Sequence, residues 1–244
     1  MKRHSLQIEP ALLLAFTALI CASTIAFDAV PKTSPAQTAD AAGMVDIRSL
    51  APDFAADMRY AGVENFVGAR VEGYEAPRCY LLRPVAEALQ RVELALRKQQ
   101  MRLKVFDCYR PVRAVQHFMR WGGDLKDQRT KAQYYPNLDK SVLLGDYIAP
   151  ISGHSRGATL DLTLMKCGPE VKKCEPLDMG TQFDFFDPRA HTDAPDVTPE
   201  QHRNRLLLRN AMQREGFENY TMEWWHYTLK PEPTPDLAYD FPVR

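Results

Sequence analysis

The chain has 244 residues, 45% of them hydrophobic and 25% charged, the balance of an ordinary folded protein rather than a disordered or fibrous one. Lysine plus arginine and aspartate plus glutamate both number 31, so no basic field exists to hold a nucleic acid or an anionic membrane by counterion release. Small neutral or zwitterionic partners fit that balance better.

The first residues differ from the rest. Lys2, Arg3 and His4 precede an apolar run from Ala11 to Phe27, and Thr24-Ile25-Ala26 supplies small residues at signal-peptidase spacing. Residues 1–26 are therefore expected to form a signal peptide. The alternative is an uncleaved N-terminal anchor, because the run reaches the lower edge of membrane-spanning length. A lipoprotein route through Cys21 is disfavoured by Ile20, which stands where a small residue is needed. Either of the first two readings exports the rest, to the periplasm or beyond. Cleavage would remove Lys2, Arg3 and Glu9 and leave the mature chain nearly neutral.

Residues 27–44 are rich in Ala, Pro, Thr and Ser with almost no large apolar side chain, and read as a flexible linker that cannot offset its ordering entropy by burial. Residues 45–244 show no internal repeat or low-complexity tract and fit one domain. Val85, Ala88, Leu89, Val92 and Leu96 recur at helical spacing behind Pro84, predicting an amphipathic helix over 84–100. A buried strand is expected over 105–109 and a second helix, carrying His117, over 114–121, with Gly122-Gly123 as its stop. Residues 159–164 alternate strictly, which predicts a strand with Leu160, Leu162 and Leu164 on one face and Thr159, Asp161 and Thr163 on the other. Thr198-Pro199-Glu200-Gln201 has the pattern of a capping box, opening a helix that runs to about residue 215 before Gly216. A strand over 221–229 closes the pattern, and His191 and His202 read as surface residues. Helices and strands mix without a βαβ repeat, which favours a single α+β domain with a small, largely antiparallel sheet flanked by helices.

Export would place Cys79, Cys108, Cys167 and Cys174 in an oxidising compartment. Cys167 and Cys174 flank a short polar insert, and closing it would contribute about 2–3 kcal/mol on the chain-entropy model. That pair is expected, leaving Cys79 with Cys108. A zinc site built of cysteines lacks any Cys-x-x-Cys spacing.

Two segments concentrate chemistry. Ser152-Gly153-His154-Ser155-Arg156-Gly157 leads into Asp161, and Glu223-Trp224-Trp225-His226 follows later. Together they offer two imidazoles and one carboxylate, the three-ligand set that leaves a catalytic zinc one position for water, plus a spare carboxylate to act as base. Each residue alone also has an ordinary structural reading, such as a loop histidine, a sheet aspartate or an exposed pair. In a regular strand Glu223 and His226 would face opposite sides, so a bend or bulge is expected between them. Trp224 and Trp225 are expected in the core.

These runs, with Asp107-Cys108-Tyr109-Arg110-Pro111, Tyr134-Tyr135-Pro136-Asn137 and Asp240-Phe241-Pro242-Val243, resemble the VanX-type D-alanyl-D-alanine dipeptidases, a branch of the zinc D,D-peptidases related to the Hedgehog fold. The resemblance covers nearly the whole mature domain; Cys108 departs from it, standing where the family usually carries glycine. It implies one zinc per chain held by His154, Asp161 and His226, Glu223 as general base, and Arg110 stabilising the oxyanion. It also implies a small dipeptide substrate whose ammonium meets Asp184 and Tyr60, and whose carboxylate end lies near Ser152 and Tyr74. Two other readings use the same residues. A D,D- or L,D-carboxypeptidase acting on longer wall peptides would need an open cleft at Asp184 and Tyr60, and a non-catalytic wall-binding module would have no need of Glu223.

Overall fold

The computed structural model describes residues 30–168 and 173–244, so the expected signal peptide lies outside the described residues. Ten strands are described: β1 (Lys32–Thr33), β2 (Met44–Asp46), β3 (Ala55–Ala56), β4 (Tyr80–Leu82), β5 (Met101–Asp107), β6 (Thr159–Cys167), β7 (Cys174–Pro176), β8 (Phe217–Asn219), β9 (His226–Leu229) and β10 (Leu237–Ala238). Six of them form one sheet in the order β3-β5-β6-β9-β8, with β7 on the far half of β6, and only β3–β5 is parallel. This is the expected α+β domain with a largely antiparallel sheet.

The alternation of residues 159–164 sets the layers. Leu160, Leu162 and Leu164 are fully buried. Helix α1 (Arg83–Arg97) buries Val85, Ala88, Leu89, Val92 and Leu96 and packs on β5, while the helix Pro199–Gln213 packs on β6, β8 and α1. The latter starts at the expected capping box, with Thr198 Oγ1 accepting from Gln201 N at 3.2 Å and Gln201 Oε1 from Thr198 N at 2.9 Å. The opposite face of the sheet, carrying Asp161 and Thr163, is left for the site.

Several boundaries move, each for a local reason. The helix expected over 84–100 ends at Arg97, just after its last apolar position, and Gln100 at φ 56° reverses the chain so that β5 starts at Met101 rather than 105. Helix α2 (Val112–Gly123) includes the glycines expected to stop it, and Gly122 is there for close approach, since Leu144 packs where its Cβ would sit. Residues 221–225 are a turn, and only His226–Leu229 are extended.

The linker expected over 27–44 is not one where it is described. Lys32–Thr33 pairs with Leu237–Ala238, Ala36, Ala39 and Ala42 pack against the core, and Met44 is buried. Backbone pairing and small side chains filling gaps supply the order that large apolar residues would otherwise provide.

Both expected disulfides are present. Cys167–Cys174 joins directly opposed residues of β6 and β7, and Cys79–Cys108 ties the approach to β4 to the exit of β5 across 29 residues. The longer loop restricts the unfolded chain more. Replacing Cys79 and Cys108 by serine is therefore expected to lower unfolding free energy by about 3–4 kcal/mol, against about 2–3 for the other pair. Urea unfolding measures both, and equal losses would contradict the loop-length argument.

Candidate active site

Strand pairing and two turns bring the distant segments together. Asp161 on β6 is the register partner of His226, the first residue of β9. His154 lies in the 3₁₀ turn Gly153–Arg156, which Ser152 caps by accepting from His154 N at 3.3 Å and which Gly157 ends at φ 73°. A side chain at Gly157 would collide with Met44, so the left-handed turn also needs the space. Glu223 sits in the expected bend just before β9, its N–H bonded to Tyr220 O at 2.9 Å and its carbonyl accepting from His226 N at 3.2 Å. Asn219 holds that bend by donating to the carbonyls of both Glu223 and His226 at 3.0 Å.

His154 and Asp161 are nearly inaccessible, and His226 is partly open to the cleft. His154 Nε2 lies 3.3 Å from His226 Nδ1 and 3.3 Å from Asp161 Oδ2, and His226 Nδ1 lies 3.1 Å from Asp161 Oδ1. His154 Nδ1 donates to Cys108 O at 2.8 Å, which leaves the lone pair on Nε2 pointing at the other imidazole. Asp161 Oδ1 is buried and accepts no well-formed hydrogen bond. Two converging imidazole nitrogens and an orphaned carboxylate oxygen, all within 4.8 Å, fit a cation and fit little else. Burial holds His154 below the usual imidazole range, in the neutral form a metal needs. For Asp161 burial acts the other way, yet the two imidazoles hold its carboxyl well below the usual carboxylate range.

Arg110 follows β5 and lies against the rings of Tyr60 and Phe118, 5.2 and 5.1 Å from their centroids. Its Nε donates to Asp107 Oδ2 at 3.0 Å, and an Nη reaches Asp161 Oδ2 at 3.5 Å. A bulge at Phe106 shifts the register so that Asp107, not Phe106, stands opposite Asp161. Tyr74, expected at the substrate's carboxylate end, instead lies behind the site. It is buried and donates to Asp107 Oδ1 at 2.6 Å, where it steadies the carboxylate that orients Arg110.

A cleft of about 290 Å³ opens over these groups, at the small end of the ~300–1,000 Å³ typical of small-molecule sites. Ser152, Val115, Phe118, Tyr147, Ile148 and Trp225 are among its walls. Asp184 also lines the cleft; it accepts the Tyr60 hydroxyl at 3.1 and 2.9 Å on its two oxygens and is itself buried. Burial, reinforced by the charge of Asp161, pushes the Asp184 carboxyl well above its ordinary range. Burial likewise pushes Glu223 up to about 7. Asp161, Asp184 and Glu223 line the cleft with Arg110 as the one guanidinium among the lining residues, a balance that favours cationic occupants.

Of the expected residues, His154, Asp161, His226, Glu223, Arg110, Asp184, Tyr60 and Ser152 all line the cleft. Trp224 and Trp225 are buried as expected, with Trp225 also forming cleft wall. Asp107 appears in the sequence only as part of the run ending at Pro111, with no role assigned, although a carboxylate three residues before an arginine at a strand exit is a signal; Asn219 carries none.

The peptidase M15 family model, described as D-ala-D-ala dipeptidase, matches residues 40–244. A D-alanyl-D-alanine dipeptidase of Streptomyces coelicolor is 43% identical over 188 residues, 77% of this chain and 91% of that relative. The Enterococcus faecium protein of the same name is 40% identical over 77% of this chain and 92% of its own length. The one from Escherichia coli is 32% identical over 82% and 92%.

Proposed function

Because the chain belongs to the peptidase M15 family of D-alanyl-D-alanine dipeptidases, we propose that it is a zinc enzyme hydrolysing D-alanyl-D-alanine to two D-alanines outside the cytoplasm. The observation that carries this reading is the convergence of His154 Nε2, His226 Nδ1 and the orphaned Asp161 carboxylate beside a raised Glu223 in a small cleft.

His154, Asp161 and His226 would hold the metal, which when bound supplies Lewis acidity that lowers the pKa of water toward about 7. Glu223 then takes a proton from the attacking water on its carboxylate and returns it to the leaving amine, a task suited to a carboxyl raised toward neutrality. Arg110, fixed by Asp107, aims its donors at the oxyanion that forms on the scissile carbonyl. Asp184 with Tyr60 receives the ammonium, and Ser152 the carboxylate end.

Arg110→Lys keeps the charge but loses the rigid fork, so kcat is expected to fall about 10²–10³-fold, the size typical of one lost oxyanion donor. Unchanged kcat with a raised KM would make Arg110 a substrate-binding group instead. The reading as a whole is tested by assaying the mature protein on D-Ala-D-Ala, L-Ala-D-Ala and N-acetyl-D-Ala-D-Ala, with and without chelator. Activity should fall on chelation, return with zinc, and favour the free D,D-dipeptide. Equal cleavage of the acylated substrate would replace this reading with a carboxypeptidase.

Two disulfides support export, since such bonds persist in oxidising compartments. No helix of the described residues is long and apolar enough to cross a membrane. An exported enzyme meets dipeptide released outside the cell membrane rather than the cytoplasmic pool, which favours recovery of D-alanine from wall fragments. Cell fractionation tests this; finding the uncleaved chain in the cytoplasm would remove the basis for that role.

A further inference from the structure

Two cavities are lined by residues that neighbour one another in sequence. Asp184 and Trp225 line the cleft, and a second groove of about 490 Å³ is lined by Arg59, Lys104, Phe106, Thr181, Phe183 and Trp224, among others. Lys104 pairs across the sheet with Thr163, which lies two residues from Asp161 and so points to the same side. Three consecutive pairs are shared between groove and site, Phe106-Asp107, Phe183-Asp184 and Trp224-Trp225. In each, the first residue lines the groove and the second belongs to the site.

Phe183 links these pairs. Its ring stacks on Phe106 at 4.8 Å and 16°, meets Trp225 edge-on at 5.5 Å, and lies 6.1 Å from Tyr60. It therefore lies between Phe106, which lines the groove, and Tyr60 and Trp225, which line the cleft. Asp184, next to it, holds a left-handed φ of 60° and lines the cleft while Phe183 lines the groove.

We propose that Phe183 is a specificity-determining residue, a partition that keeps the groove behind it from serving as a subsite for acyl or aminoacyl extensions at the substrate's amino end. The groove has room and a fitting surface: Phe106 offers an apolar floor, with Arg59 and Lys104 at 5.6 and 5.3 Å from its ring centre. The block is steric and adds to the loss of the charge pair, because the amide N–H of an acylated amine can still donate to Asp184. The inference rests on the dipeptidase reading, which places the amino end at Asp184.

The test compares kcat/KM for free D-Ala-D-Ala, its N-acetyl form and Gly-D-Ala-D-Ala in the zinc-loaded wild type, Phe183→Ala and Phe183→Leu, with thermal unfolding of each. Phe183→Ala is expected to gain at least about tenfold on the two extended substrates, the scale on which a change of shape in an apolar pocket discriminates, while losing activity on the free dipeptide. Phe183→Leu keeps an apolar side chain in the partition, protecting the fold, and should move selectivity the same way by less. A residue that only supported the fold would lower all three substrates together. Folded variants with unchanged selectivity overturn the partition and leave the dipeptidase reading intact; a wild type that already cleaves the extended substrates well overturns that reading itself.

Discussion

Glu223→Gln is expected to retain zinc and to lose about 10²–10⁴-fold in kcat, the usual contribution of a positioned general base. The amide matches the carboxylate in shape, and the backbone of the turn, held by Asn219 and by the bond from His226 N, does not depend on the side chain. Glutamine cannot take a proton from water, so binding and chemistry separate. His226→Ala should fail differently, since it removes one of the three donors and with it the metal. Metal content by mass spectrometry beside single-turnover rates distinguishes the two, and a Glu223→Gln protein turning over near the wild-type rate would refute the assigned base.

Asp184→Ala should have the next largest effect, and its signature is a change of preference. Asp184 is buried, with the Tyr60 hydroxyl as its hydrogen-bond donor, and burial, reinforced by the charge of Asp161, pushes its carboxyl well above the ordinary range. In the proposed binding mode a substrate ammonium pairs with it, and breaking a buried charge pair typically costs about 3–5 kcal/mol. The expected loss in kcat/KM on free D-Ala-D-Ala is therefore about two to four orders of magnitude. The loss on N-acetyl-D-Ala-D-Ala, which carries no ammonium, should be much smaller. Equal losses on both would mean that Asp184 holds the fold of its loop rather than the substrate.

Much of this site was legible in sequence because it is built from side chains whose types are costly to keep for other reasons. An imidazole and a carboxylate seven residues apart around a glycine turn, followed by a glutamate and histidine three apart, restrict the chemistry even before their positions are known. Alternation in residues 159–164 fixed which face Asp161 takes, and the need for a bend before His226 followed from strand geometry. What sequence could not supply was anything carried by the backbone. Asn219 acts on two carbonyls, Tyr74 works one layer behind the substrate through Asp107, and the bulge at Phe106 is a register shift with no residue signature. The 27–44 segment misled for the same reason: its order comes from pairing with Leu237–Ala238, a partner about 200 residues away that composition does not reveal.

The bond between Cys79 and Cys108 bears on when this enzyme can first work. Cys108 stands between Asp107 and the Arg110 that Asp107 orients, and its carbonyl fixes the tautomer of His154. A newly synthesised chain with these thiols reduced lacks the covalent tie that holds this segment in place. If the chain is exported as proposed, oxidation would precede metal loading, and competence would be acquired only outside the compartment where the dipeptide for wall synthesis is made. Chain refolded with zinc under reducing conditions is accordingly expected to hold less metal than chain oxidised first.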